Sequence, residues 1–515
     1  MSSLRRLAGL GLLLTALPLV LGELKLVQIL FRHGDRTALR DLPGVSQPSD
    51  WPEGYGQLTA LGMQMHYNVG AYFRKRYIQD LSFIDAAYNH EQIVVRSTDA
   101  DRTLMSAQAQ LAGWFPVETS VLGPPDILWR PVPVHTRPVE DDLLLRSWSQ
   151  GVCPRYDQLE ANWNQTQGWH DKNNQIVDPL ACQAVHLPAD QNCTVAQYLS
   201  ALEPISQIAP LDLDSLWQIS DTLLCRRMHN LSMPDYANHS DVGEASYSLL
   251  RSLEDWGMYA MFDSVPKRRL SGGPVLQELI SNMQAALQDS SMPRVFLYSG
   301  HDTNLAAVLE ALQTDHFRAR APPYASCLIV ELHVEDDTPF VRIVFKNESA
   351  IDAPEHPGHT LTVKTCEHSD CPLSEFVKVM SPILPTDMTV DCQAATPSPT
   401  TRASSSTTTK NVPASTIDPT SADAANKRDL TVTAVVVAIC LALAVAATFF
   451  ILFRRRQRRM RTIGTNIKYT SRSLAAPLSV VDDDDEEEDV FSSNYPNAPA
   501  QRPGRASRNQ SDAFA

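Results

Sequence analysis

Apolar positions along the 515-residue chain fall into two long unbroken runs, 7–21 and 430–453, with shorter patches punctuated by turns between them. Three of the short patches share one layout. LKLVQILF is followed by RHGDRT, QIVV by RSTDADRT, and RVFLY by SGHDTN, and the spacing that follows each suits an amphipathic helix. Four to eight apolar, often β-branched residues suit a buried strand, and each charged turn then sits at a strand exit. CLIVELHVE and FVRIVFKN, joined across DDTP, predict a hairpin that extends the sheet. A stretch rich in Trp and Pro from about 125 to 270 predicts a helical insert. The pattern as a whole predicts an α/β fold, a mainly parallel sheet flanked by helices, with a smaller inserted α-helical lobe.

The two long runs set the topology. Residues 1–22, with Arg5 and Arg6 ahead of the apolar run, have the layout of a signal peptide. The 24 uncharged residues 430–453 are long enough to cross a bilayer, and RRRQRRMR follows at once, so the chain reads as a single-pass type I membrane protein anchored by one helix. Its domain at 23–393 is then lumenal or extracellular. Residues 394–429, rich in Ser, Thr, Pro and Ala, read as an extended stalk, and 454–515, with DDDDEEED at 482–489, as a disordered cytoplasmic tail. Neither Tyr469 nor Tyr495 is followed by the bulky residue of an endocytic signal. That favours the plasma membrane over the endosome or lysosome.

Without leader and tail the chain carries 31 basic and 50 acidic residues, and this excess of acid argues against nucleic acid as a partner. Of nine cysteines, Cys440 lies in the predicted span and an even eight lie outside it. In an oxidising compartment those eight are expected to pair. Sequons at Asn164, Asn192, Asn230, Asn238 and Asn347 fit the same secretory route and predict glycosylated, exposed loops.

The charged turns carry the candidate chemistry. In open α/β sheets ligands bind beyond the carboxyl ends of the strands, where all three turns fall. Arg32, Arg36 and Arg102 are permanent cations whose planar forks match phosphoryl oxygens, and together they repel one another unless an anion lies between them. His33, between two of them, and His301 are expected to stay neutral, because positive neighbours disfavour imidazolium. A neutral imidazole is able to attack phosphorus, and Asp302 is placed to protonate the leaving group. Asp35 is expected to orient Arg36 or cap a helix, Asp99 and Thr98 to act as turn or cap residues, and Arg96 to support the site or form a salt bridge. His33, Asp35, His301 and Asp302 are also possible metal ligands, but the arginines oppose a divalent cation; no metal and no cofactor is expected.

RHGDRT, RSTDADRTLMSA and YSGHDTN, in that order and spacing, resemble the histidine acid phosphatases. WPEGYGQLTALGMQMHYNVGAYFRKRY, LWRPVPVHT, CPRYDQLE, APPYASCLIVELH and CPLSEFVKVM resemble the lysosomal, prostatic and testicular branch of that family. The resemblance implies a phosphomonoester hydrolase in which His33 becomes a phosphohistidine, Arg32, Arg36, Arg102 and His301 bind phosphate, and Asp302 donates the proton. It implies that the Gly34 carbonyl orients the His33 ring. It implies disulfides Cys153–Cys392, Cys225–Cys327 and Cys366–Cys371, which leaves Cys182 and Cys193 to close a local loop. It also implies a homodimer through the segment holding Trp129 and His135. Relatives often have Pro where this chain has Ala38. A catalytically inactive receptor or adhesion ectodomain of the same fold is the alternative, but it has no need for every charged residue. A phosphoglycerate mutase-like transferase shares the histidine chemistry but is at odds with the leader.

Overall fold

The strand predicted from LKLVQILF is the centre of the sheet because both of its faces find apolar company. In the computed structural model, which describes residues 22–188, 192–314, 320–348 and 350–394, β1 (Glu23–Arg32) is buried from Leu26 to its end. Leu26 and Leu30 serve one core, and Val27, Ile29 and Phe31 the other, as the two-residue strand period requires. The predicted leader, stalk, membrane span and tail lie, apart from Gly22 and Ala394, outside the described residues. Among the described residues no helix is long and apolar enough to cross a membrane.

After β1 come α1 (Ala60–Phe73), β2 (Ile93–Ser97) and α2 (Asp101–Trp114). A helical stretch follows: α3 (Pro154–Glu160), α4 (Gln167–Asn173), α5 (Pro179–Ala184), α6 (Val195–Ser206), α7 (Trp217–Met228), α8 (Asp241–Ala260), α9 (Val265–Leu270) and α10 (Gly272–Ala286). Then come β3 (Val295–Gly300), α11 (Asp302–Leu312), β4 (Cys327–Glu335), β5 (Thr338–Lys346), β6 (His359–Leu361), β7 (Asp370–Pro372), α12 (Leu373–Met380) and α13 (Met388–Asp391). The helices from α4 to α8 enclose a core of their own, built around Trp163, Leu199, Ile219 and Leu250.

The sheet runs β2-β3-β1-β4-β5-β6, with β7 also on β5. The β2–β3 and β3–β1 pairs are parallel, and every other pair is antiparallel. The α/β class holds, but the sheet is mixed rather than mainly parallel. Parallel neighbours need a long crossover, and the chain supplies one only before β2 and β3. From β4 to β5 it turns at Asp336 and Asp337, both at positive φ (47° and 61°), which closes a tight hairpin.

Three bridges form: Cys153–Cys392, Cys182–Cys193 and Cys366–Cys371. The fourth pairing, Cys225–Cys327, does not. Both are buried free thiols with other neighbours. Cys225 Sγ lies 3.5 Å from Arg36 Nη1 and 3.5 Å from the Tyr324 hydroxyl, and the Cys327 thiol donates to the Ala325 carbonyl. Of the sequon residues, Asn164, Asn192 and Asn230 are exposed and Asn238 and Asn347 half-buried. Trp129 is 41% exposed, whereas His135 adds a bridge beside β2 through its backbone.

Candidate active site

The three motif-bearing strands end level with one another. Arg32 pairs with Gly300, and Ser97 with Ser299, so the three loops leave the sheet along one edge. His33 N–H donates to the Gly300 carbonyl and Thr98 N–H to that of Ser299, and the loops are held by the strands they leave. Two helices begin beside this edge, α2 with Arg102 in its first turn and α11 with Asp302 as its first residue. Both amino-termini favour negative charge.

Gly34 lets the first loop press against α1. A Cβ on Gly34 would stand 2.3 Å from the Gly62 carbonyl oxygen, and one on Gly62 would stand 2.1 Å from that of Asp35. Only two glycines face to face permit that approach. The Gly34 N–H donates to Ser106 Oγ at 3.0 Å, and the Gly34 carbonyl lies 2.8 Å from His33 Nδ1. A carbonyl only accepts, so in a neutral ring Nδ1 carries the proton and Nε2 keeps its lone pair.

Arg32, Arg36, Arg102 and Arg146 surround this ring and His301. Arg32 donates to the Pro322 carbonyl (2.7 Å) and pairs with Asp302 (2.8 Å), its guanidinium 4.1 Å from the Tyr324 ring centroid. Arg36 makes a bidentate pair with Asp221 at 2.8 and 3.0 Å. Arg102 and Arg146 form no ion pair among the described residues, and both reach His301, at 3.3 and 2.9 Å. All four arginines have a buried Nε–H without a partner. Buried donors left unsatisfied are costly, and three of these arginines, Arg36, Arg102 and Arg146, line one cleft.

Burial, then the charges of Arg102, Arg32 and Arg36, hold the pKa of His33 well below 6.5. For His301 burial again leads, followed by Arg102 and Arg146. Arg102 itself is pushed down to about 10 by burial and Arg36. His66, behind the site, bridges the Arg32 carbonyl (3.0 Å) and Gln110 (3.1 Å), and burial lowers it to about 4. A histidine depressed in this way stabilises the fold fully above pH 6.5. As the pH falls below that value the unfolded chain takes up a proton that the folded chain refuses until about pH 4. Between pH 7 and pH 4 the protein is expected to lose about 3 kcal/mol more stability than a His66→Gln variant. Equal losses in denaturant titrations at the two pH values would refute this.

The residues predicted from the three motifs come together in space, and the expected roles of three of their neighbours resolve differently. Asp35 does not orient Arg36: its Oδ2 accepts from Thr59 Oγ1 (2.5 Å) and pairs with His229 Nε2 (2.7 Å). Thr98 is not a cap, since Ala100 caps α2; its hydroxyl lies 3.0 Å from His301 Nε2. Arg96 is a salt-bridge partner, bonded to Asp142, whose Oδ1 also accepts from the Leu145 N–H. With Asn304 donating to the Leu145 carbonyl at 2.6 Å, this fixes the segment that delivers Arg146.

Arg146 and Asp221 escaped the sequence reading. Arg146 lies in LLLRSWSQ with no strand-loop-helix pattern around it, and Asp221 is an interior residue of α7. The available signal for Asp221 is its setting, a charged residue on a helix that buries Ile219 and Leu223. The cleft above the arginines has a volume of about 450 Å³, and Trp148, Trp163, Trp217 and Met258 form much of its outer wall.

A family model described as histidine phosphatase superfamily (branch 2) matches residues 23–346. The chain is 36% identical over 391 residues to lysosomal acid phosphatase of Rattus norvegicus, covering 75% of this chain and 84% of that one. It is 34% identical over 375 residues to prostatic acid phosphatase of Homo sapiens, covering 72% and 88%. Among solved structures it resembles the phytase of Citrobacter braakii, with a TM-score of 0.53, 19% identity and coverage of 73% of this chain and all of that one. At that identity the likeness speaks for the fold alone. With the family model spanning more than half of the chain and two acid phosphatases above 30% identity across most of their length, this chain belongs to branch 2 of the histidine phosphatase superfamily.

Proposed function

We infer that this chain is an acid phosphatase that hydrolyses phosphomonoesters by way of a phosphohistidine at His33. The observation that carries this reading is the ring of four guanidinium groups, each with an unpartnered buried Nε–H, around a histidine kept neutral. Arg36 is already balanced by Asp221, and Arg32 by Asp302 only while that carboxylate is ionised; once Asp302 holds the proton it donates, Arg32 joins Arg102 and Arg146 in meeting the charge of a phosphoryl group.

In the first step Nε2 of His33 forms a bond to phosphorus while the bond from phosphorus to the ester oxygen breaks. The departing oxygen takes the proton of Asp302. In the second step a water gives its proton back to Asp302, its oxygen bonds to phosphorus, and the N–P bond breaks to release phosphate. Developing charge on the phosphoryl oxygens meets fixed guanidinium donors and two helix amino-termini throughout.

Because cationic side chains neutralise the phosphoryl charge, EDTA is expected to leave turnover of p-nitrophenyl phosphate unchanged. Loss of activity restored by zinc or magnesium would refute the arginine-based mechanism.

The domain at 23–393 works on the lumenal or extracellular side of a membrane, held there by the apolar segment 430–453 and glycosylated at its exposed sequons. The names of its relatives, lysosomal and prostatic, fit that side of the membrane. Two copies associate through the face that exposes Trp129. There Met63, Leu104, Met105 and Trp129 line an apolar groove of a kind that a second apolar surface covers.

A further inference from the structure

The cleft has two halves of opposite character. Its floor presents the arginines and histidines described above. Its outer wall joins indole rings to carboxylates, Trp148, Trp163 and Trp217 with Glu160 and Asp214. Most carboxylates of the cleft are already neutralised, Asp302 by Arg32, Asp221 by Arg36 and Glu160 by Lys267 at 2.7 Å. Asp214 differs. Among the described residues its carboxylate has neither an ion pair nor a side-chain hydrogen bond, and only its backbone N–H is engaged, by Asp212. It stands exposed in the lining of the cleft, where partial burial and the nearby Asp212 raise its pKa and an incoming cation meets a charge without a partner.

Indoles that line the same cleft, or stack behind it, stand close to side-chain cations. Arg146 lies 4.8 Å from the centroid of Trp148, Arg40 lies 5.6 Å from that of Trp217, and Lys172 lies 5.2 Å from that of Trp256, which stacks on Trp163. Electron-rich rings and a bare carboxylate lining one cleft favour an ammonium group over a neutral one of the same shape. It also repels a second phosphate on the leaving group.

Building on the phosphatase reading, we propose that the outer half of the cleft selects phosphomonoesters whose alcohol carries an ammonium group, which sits between Asp214 and the indoles of Trp163 and Trp217. The selection acts on the alcohol alone. The phosphoryl group is held by the arginines whichever alcohol it leaves.

Phosphocholine and 3,3-dimethylbutyl phosphate provide the test, because they differ only in a charged nitrogen replacing a carbon. With the full chain in mild detergent at a pH of about 6, kcat/KM for phosphocholine is expected to exceed that for the neutral isostere by about tenfold. In an Asp214→Asn variant the ratio is expected to fall to within about threefold of unity, with no fold to disturb since that carboxylate bonds nothing. A ratio near one in the wild-type protein, or a ratio unmoved by Asp214→Asn, would overturn the proposal. p-Nitrophenyl phosphate is the third substrate. If it is turned over while the ratio stays near one, the ammonium seat fails and the phosphatase reading stands. If it is not turned over, the phosphatase reading fails, and the same ratio is read from calorimetric binding of the two esters.

Discussion

Replacing His33 with alanine is expected to lower turnover of every phosphomonoester by at least about 10⁴-fold and to leave no phosphoenzyme to trap. The change removes the nitrogen proposed to attack phosphorus. Arg32, Arg36, Arg102 and Arg146 keep their contacts, none of which involves the His33 ring. Inorganic phosphate is therefore expected to go on binding and to raise the melting temperature of the variant. Rapid quenching with a radiolabelled ester checks the covalent step. Label retained on the His33→Ala protein would show that another group is the nucleophile.

Asp302→Asn should fail in a different way. Asparagine occupies the same volume and still offers an oxygen to Arg32 Nη2, so the 2.8 Å contact keeps its geometry while the transferable proton is gone. The penalty then depends on the alcohol. p-Nitrophenolate, with a pKa of about 7, leaves without help, and its turnover is expected to fall less than about tenfold. Glycerol phosphate, whose alkoxide needs the proton, is expected to lose about 10²- to 10⁴-fold. Equal losses on the two substrates would remove Asp302 from the role of proton donor.

The parts of the site that were legible in the sequence are those written locally. The second and third motifs are each a strand, a turn and a helix start within about fifteen residues, whereas the first runs from its strand into a loop and α1 begins only at Ala60; in all three the charges follow the strand and so fall at a sheet edge. His33, Arg32, Arg36, Arg102, His301 and Asp302 come together for that reason. Arg146 and Asp221 reach the same pocket from the helical stretch, by packing that depends on residues far away in sequence, and nothing around them marks a destination. Asp35 shows a related limit: its neighbour in sequence is Arg36, but its partners in space are Thr59 and His229. In the sheet, apolar runs identified the strands but carried no direction, and the short β4–β5 turn was the one local sign of antiparallel pairing. Pairing of Cys225 with Cys327 was implied by resemblance alone, and in the structure each thiol is turned to other atoms.

The central position of β1 has a consequence for how the protein is made. The strand synthesised first is flanked on both sides by strands synthesised late, with Val27 beside Val295 on one edge and Phe31 beside Cys327 on the other. At a translation rate of about 5–20 residues per second, β1 waits roughly 15–50 seconds for its first partner. During that interval it is an apolar strand with two open edges, a template for the wrong chain as much as for the right one. The helices from α4 to α8 draw on nearer contacts and on a bridge spanning only 11 residues, so their core is free to condense while β1 waits. The phosphate pocket is out of reach until α11 has emerged, because His301 and Asp302 are synthesised at its start. A nascent chain stalled between Arg146 and Gly300 holds His33 and all four arginines yet lacks His301 and Asp302, and hydrolytic activity is expected only with the closing of the sheet.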